Sequence, residues 1–252
     1  MRGRSIKLSA PRRLVCDLMR FSKPVPRVAV QRRMNLASLR TARASAGQHI
    51  SWTAIMVKGY ALLAQDVPEL RRAYVKLPWP HLYEYVASIA SITHERDVDG
   101  ERAVLVSLIK QPEHRSVRGL DKVISEVRSR PVSEVKDFRK ALSFAQLPAP
   151  ARWLLFWLGL NIAAQRANRF GTFQFSVYSG LGSESLNPLT PLTTLLNYGP
   201  IEADGAVNVR IHYDHRVMDG ASVARALARF EEILNGPVVD ELRLSAGQFR
   251  AT

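Results

Sequence analysis

The 252-residue chain is 46% apolar and 23% charged, an ordinary globular composition and long enough for one substantial core. Its single cysteine, Cys16, excludes an intramolecular disulfide framework and a cysteine-based metal cluster, and no metal site is expected. The net charge of +14 is uneven: residues 1–40 hold eleven Arg/Lys against one acid, Asp17, a net +10.

Residues 1–20 are therefore read as a basic arm, solvated and partly disordered. Such an arm suits an anionic membrane surface or an acidic partner. No RNA- or DNA-binding motif accompanies it, so no nucleic acid is expected. The start, MRGRSIKLSAPRRLV, lacks a continuous apolar run and is not read as a secretory signal. A cytoplasmic setting, peripheral to a membrane at most, is the expectation.

Pro26 suits the first turn of a helix, and RVAVQRRMNLASLRTARA is read as helix to about Ala46, closed by Gly47. Ser51 is placed to N-cap a second helix, WTAIMVKGYALLAQ, which Pro68 stops. The β-rich runs YEYVASIASIT and ERAVLVSLIK flank DVDG, and an Asp-Gly turn between such runs predicts a hairpin. SVRGLDKVISEVRSR and SEVKDFRKALSFAQ predict two helices divided at Pro131.

The next segment, LPAPARWLLFWLGLNIAAQRANRF, carries no charge from Trp153 to Gln165 and is apolar on every helical face as far as Leu160. Those 13 residues are too few to span a bilayer, which needs about 20. Two readings stay open. One is a helix buried in the core or in a subunit interface. The other is an interfacial helix, with Trp153 and Trp157 at headgroup level and Arg152, Arg166 and Arg169 on the polar side.

GTFQFSVYSG then reads as a strand, GLGSESLNPLTP as a loop, and LTTLLNYG and AVNVRIHYD as strands. In the last, Val207, Val209, Ile211 and Tyr213 alternate with Asn208, Arg210, His212 and Asp214, which predicts one buried and one polar face. DGASVARALARFEEIL predicts a helix with Val223, Leu227, Phe230 and Leu234 on one stripe, ended by Asn235-Gly236-Pro237. This order predicts an α+β fold with a mixed β-sheet flanked by helices, not a regular βαβ array.

The segment IHYDHRVMDGASVARAL, residues 211–227, sets an H-x-x-x-D-G pattern between a strand and an amphipathic helix. Taken alone, Asp219 is a helix N-cap, His215 a turn residue, and Gly220 a point of close backbone approach. In the fuller form D-H-R-V-x-D-G, the segment resembles the active-site motif of the chloramphenicol acetyltransferase-like superfamily. It is most similar to the catalytic domain of the dihydrolipoyl acyltransferases of 2-oxo acid dehydrogenase complexes. RVAVQRRM is similar to the arginine-rich first helix of that domain, and TAIMVKGYALLAQDVPELR to its second helix. DVDGERAVLVSLIK stands where the family has a hairpin, and GTFQFS is similar to the family's Gly-Thr-Phe-Thr-Ile-Ser strand.

The resemblance implies a chloramphenicol acetyltransferase-like fold, with a catalytic domain at 21–237 between the arm and a C-terminal tail at 238–252. It implies acyl transfer without a covalent acyl-enzyme. His215 would be the general base that deprotonates the acceptor. Ser176 would donate to the oxyanion. Asp219 would brace the catalytic turn by pairing with an arginine, for which Arg27 is the best match and Arg32 and Arg33 are alternatives. Coenzyme A, as acyl-CoA, would be a substrate. The implied unit is a homotrimer with its active site between subunits, the histidine from one chain and the serine from its neighbour.

Three departures from the family bear on function. No lipoyl domain, subunit-binding domain or Ala/Pro-rich linker precedes the catalytic region, so a stand-alone enzyme is expected, its acceptor open between a thiol, an amine, a hydroxyl and a carrier protein. PLTPLTTLLNYGP, residues 188–200, replaces the family's Asn-Pro-Pro-Gln-like loop, which shapes the substrate channel. The Trp/Leu/Phe run at 153–160 stands where the family has a polar helix, and with the basic arm it raises attachment to a membrane surface. The rival readings are a non-catalytic trimeric scaffold and a peripheral membrane-associated module of the same fold.

Overall fold

The computed structural model describes residues 1, 3–47 and 49–250, with side chains as far as Ser245. Arg2 of the expected arm, and Ala251 and Thr252 of the expected tail, lie outside the described residues. The strands are β1 (Arg27–Asn35), β2 (Arg72–Val75), β3 (His81–Glu84), β4 (Ile89–Val98), β5 (Glu101–Lys110), β6 (Phe173–Phe175), β7 (Thr194–Tyr198) and β8 (Ala206–Asp214). The α-helices are α1 (Ala10–Ser22), α2 (Ala37–Ala44), α3 (Trp52–Asp66), α4 (Val117–Ser129), α5 (Lys136–Ala145), α6 (Ala149–Asn161), α7 (Ala163–Phe170), α8 (Gly220–Asn235) and α9 (Pro237–Arg250).

Six strands form one mixed sheet in the order β1-β8-β7-β6-β4-β5, flanked by helices. The β4–β6 and β6–β7 pairs are parallel and the others antiparallel. The β4–β5 hairpin turns at Asp99 and Gly100, with φ of 54° and 80°. This left-handed pair is what a two-residue hairpin loop requires. Ser51 caps α3 as expected, its hydroxyl accepting from the Ala54 N–H at 3.3 Å. Helix α3 is buried along nearly its whole length against α8, whose Val223, Leu227, Phe230 and Leu234 are fully buried. Each such side chain contributes roughly 1.5–3 kcal/mol when removed from water.

Several expectations are corrected. Residues 27–35 are a strand, not the start of a helix, and helix begins only at Ala37. The reason is tertiary: β8 offers a full ladder from Arg27↔Asp214 to Asn35↔Ala206, and pairing overrides helical propensity in a Val-Ala-Val run. The hairpin of β2 and β3, a separate two-stranded sheet, was not anticipated.

Both ends of the chain differ as well. From Ala10 onward the arm is helix α1, with Asp17 and Ser22 buried and Ser9 accepting from the Arg12 N–H at 3.2 Å. The tail is helix α9, which opens on Pro237 and buries Val238, Val239 and Leu242 in the main core.

The long apolar segment breaks at Ile162 into α6 and α7. Arg152 and Arg166, expected on a polar face, lie inside, and of the three arginines only Arg169 is exposed. Arg152 pairs with buried Asp17 at 2.6 Å. Arg166 donates to the carbonyls of Tyr74, Leu160 and Pro191, and burial holds its pKa below the usual arginine value.

Candidate active site

The H-x-x-x-D-G segment links β8 to α8. Asp214, at the end of β8, is 2% exposed, and its carboxylate grips Arg216 from two sides: Oδ1 accepts from Nε at 2.9 Å and Oδ2 from Nη2 at 2.7 Å. The Arg216 guanidinium in turn stacks 4.2 Å over the Tyr74 ring. The Asp214 carbonyl accepts from the N–H groups of Val217 and Met218. The His215 N–H donates to the Pro26 carbonyl at 2.9 Å. The backbone on both sides of His215 is thereby fixed while its ring is free to face outward.

That ring is half-exposed, at 48% of its side-chain area. Its centroid lies 5.6 Å from the Tyr213 ring, and its Nδ1 is 3.8 Å from an Asp219 oxygen. Asp219 occupies the N-cap position of α8, but its carboxylate makes no capping bond and remains exposed beside the imidazole. Gly220 opens α8 where a Cβ would stand 3.3 Å from the Tyr213 hydroxyl, so a side chain there would press on the tyrosine that flanks His215. Burial, and then the Asp219 charge, push the Tyr213 hydroxyl pKa up.

The expected arginine brace to Asp219 is not formed. Arg27 donates instead to the carbonyls of Pro188, at 3.1 Å, and Thr190. Burial lowers its pKa to about 10, against the raising effect of Asp214. Arg32 pairs with Glu231 and Arg33 with Glu202. The physical reason is that residues 27–35 are a strand, which sets Arg27 opposite Asp214 in the ladder. The brace of this turn is therefore Asp214–Arg216, a pair that sequence reasoning assigned no role. The D-x-R spacing across a strand end was its available signal.

Ser176 follows directly on β6. Gly171, with φ of +91°, starts that segment where a Cβ would lie 2.9 Å from the Ile89 carbonyl, so glycine is required. The Thr172 hydroxyl accepts from the Ile89 N–H at 3.0 Å, and Phe173 and Phe175 anchor the strand in the core. Ser176 is buried, and its N–H donates to the Leu196 carbonyl at 3.2 Å. Leu196 pairs with Ile211, four residues before His215 and two strands from Ser176. The register sets Ser176 level with Arg210, five residues before His215 and two strands away, so at about 3.3 Å per residue and 4.8 Å per strand the two stand roughly 20 Å apart in one chain. One chain brings His215 together with Asp219, but not with Ser176.

The polar face of β8 is buried as well, apart from half-buried Asn208. The loop at 184–190 covers it. Glu184 pairs with Arg210, Asn197 Nδ2 donates to the Ser185 carbonyl at 2.6 Å, and Arg27 holds Pro188 and Thr190. Beneath this loop His212 is 1% exposed, with no hydrogen-bond partner for either ring nitrogen. Burial and the nearby charges of Arg27 and Arg210 push its pKa down to about 4. His94, bonded to Ser107 at 2.8 Å, is likewise pushed down to about 4 by burial and then by Arg128 and Arg96.

Both rings are thus neutral in the folded state and regain protons near pH 6.5 on unfolding. Stability is complete above pH 6.5 and is expected to fall as the pH drops toward 4, on the order of 1 kcal/mol per ring between pH 7 and 5. Urea unfolding of His212→Gln and His94→Gln beside the parent protein checks this. A pH dependence identical in all three contradicts it.

Among the described residues no group of three or more His, Cys, Asp or Glu could hold a metal ion, and no helix is long and apolar enough to cross a membrane.

The six-stranded sheet, the β8–turn–α8 junction and the strand before Ser176 define the chloramphenicol acetyltransferase-like fold. A dihydrolipoamide acetyltransferase of Azotobacter vinelandii superposes with a TM-score of 0.67 at 18% identity, over 94% of this chain and 93% of its own. That structure concerns the catalytic role of a serine, a histidine and an asparagine four positions after the histidine. The cubic core of a pyruvate dehydrogenase multienzyme complex gives a TM-score of 0.64 at 18% identity, over 94% and 93% of the two chains. A chloramphenicol acetyltransferase gives 0.55 at 13% identity, over 90% and 96%. No protein-family model matches the sequence, and no curated protein matches it.

Proposed function

We propose that the chain is an acyltransferase that moves an acyl group from acyl-CoA to a nucleophilic acceptor, with His215 as general base. The observation that carries this reading is the His215 ring: held on a pinned backbone, half-exposed, with Asp219 at 3.8 Å.

In the reaction, neutral His215 takes the proton of the bound acceptor as the acceptor attacks the thioester carbonyl. The Ser176 hydroxyl donates to the resulting oxyanion. Collapse of the tetrahedral intermediate breaks the carbon–sulfur bond, and the imidazolium returns its proton to the departing coenzyme A thiolate. Asp219 stabilises the imidazolium in between. In this reading the two come from different copies, which the roughly 20 Å between Ser176 and His215 within one chain supports. The active unit in this reading is a homotrimer with the site at its seams, and the assembled core named for one structural neighbour accords with that.

The test follows release of free coenzyme A from acetyl-, butyryl- and longer acyl-CoA in the presence of candidate thiols. Ser176→Ala is expected to lower turnover roughly a hundredfold to a thousandfold. Mixing and reassembling inactive His215→Ala and Ser176→Ala subunits should restore part of the activity, because some seams then join an intact histidine to an intact serine. A structurally intact trimer with no turnover on any acyl-CoA would leave the non-catalytic scaffold as the reading.

A further inference from the structure

From Trp153 to Leu160 helix α6 is apolar all round, yet only one of its sides is covered. Phe156 and Leu160 face inward, Phe156 stacked on Phe21 of α1 at a ring distance of 4.7 Å. The opposite side presents Leu154 and Leu155 at 58% and 40% exposure, flanked by Trp153 and Trp157 at 36% each. Leu147 before the helix and Ile162 after it extend the stripe, at 38% and 40%. Within α6, positions 151, 154, 155 and 158 follow one another at helical spacing, so their side chains line one face.

The exposed charges nearest this face are positive. Residues 138–183 contain five Arg/Lys and no acid. The only acid of residues 1–40, Asp17, is turned inward onto Arg152, and it also accepts from the Trp153 indole at 2.9 Å. Exposed Arg20 lies 4.1 Å over the Trp153 ring, exposed Lys23 follows α1, and exposed Arg169 stands against α6 at Gly159. Two copies meeting through this face would bring like charges together, which opposes association. An anionic surface faces no such cost.

We propose that this face docks on an anionic lipid bilayer. The Leu/Trp stripe lies in the boundary between headgroups and acyl chains, and Arg20, Lys23 and Arg169 sit on the lipid phosphates. At 13 residues α6 is about 20 Å long, so it lies along the surface and does not cross it. Helices α1 and α5 beside it stand at the β5 edge of the sheet, the opposite edge from β1 and the His215 turn. The proposal stands independently of the acyl-transfer reading.

The test is cosedimentation of the full chain with vesicles of phosphatidylglycerol mixed with phosphatidylcholine, beside vesicles of phosphatidylcholine alone. Binding is expected on the anionic vesicles and should fall at 1 M salt, where the screening length is about 3 Å. Leu154→Asp, at an exposed position that leaves the fold intact, should weaken binding about tenfold or more. Trp157→Ser provides a second, uncharged variant with a loss in the same direction. No binding to the anionic vesicles, equal binding to the neutral ones, or binding unchanged by both substitutions overturns the proposal. So does sedimentation velocity in which Leu154→Asp dissociates an oligomer, since the stripe would then be a subunit interface.

Discussion

Replacing His215 with alanine is expected to lower acyl-transfer kcat/KM by about a hundredfold to ten-thousandfold while leaving the fold and its assembly intact. The structure supports both halves of this expectation. The His215 side chain is half-exposed and no hydrogen bond of the fold depends on its ring, so its loss costs little stability. The turn itself is held by other groups: the bidentate Asp214–Arg216 pair, the Arg216 stack on Tyr74, and the backbone bond from His215 to Pro26. A loss of rate with an unchanged melting temperature therefore isolates the proton transfer. Steady-state release of coenzyme A, with circular dichroism and sedimentation as controls, measures it. Unchanged turnover would remove His215 from the mechanism. Arg216→Ala makes a useful contrast, because it is expected to loosen the turn and lower both stability and activity.

Asp17→Ala is expected to destabilise the protein by about 3–5 kcal/mol. The Asp17 carboxylate accepts from Arg152 Nε at 2.6 Å and from the Trp153 indole at 2.9 Å, and its side chain is only 3% exposed. Its removal strands a guanidinium that is 8% exposed and keeps one other bond, to the Leu147 carbonyl at 2.8 Å. An uncompensated buried charge costs far more than the pair gains, which is why removing both partners is expected to be mild. Asp17→Leu combined with Arg152→Met should recover most of the loss. Urea unfolding of the two single variants and the double variant measures the coupling. A loss of less than about 1 kcal/mol in Asp17→Ala would show that α1 is not fastened to α6 by this pair.

The two expectations concern segments of very different legibility. The turn around His215 was readable because it is local: a strand with alternating apolar residues, a fixed H-x-x-x-D-G spacing and an amphipathic helix all lie within thirty residues. Helix α8 and the Asp99-Gly100 hairpin were readable for the same reason, since their periodicity and turn residues carry their own physics. Asp17 was legible only as a lone acid in a basic arm. Its partner lies 135 positions away, and no local pattern announces it. Arg27 shows the same limit from the other side. Read as part of a helix it could pair with Asp219, but as part of a strand it faces Asp214 and the carbonyls of the covering loop.

By itself the sequence determined the α+β class, the mixed sheet, the Ser51 cap, the Asp99-Gly100 turn and the motif that singles out His215. These follow from residue spacing, rotamer and backbone preferences, and the 2.0 and 3.6 periodicities of strands and helices. Only the tertiary structure decided that residues 27–35 join the sheet, and that the basic arm folds as a helix against α6. It alone decided that His212 lies buried without a partner, and that Ser176 stands roughly 20 Å from His215 within one chain. The reason is common to all four: strand pairing, burial and charge neutralisation are settled by neighbours distant in sequence, whose free energies exceed the local preferences that a linear reading can weigh.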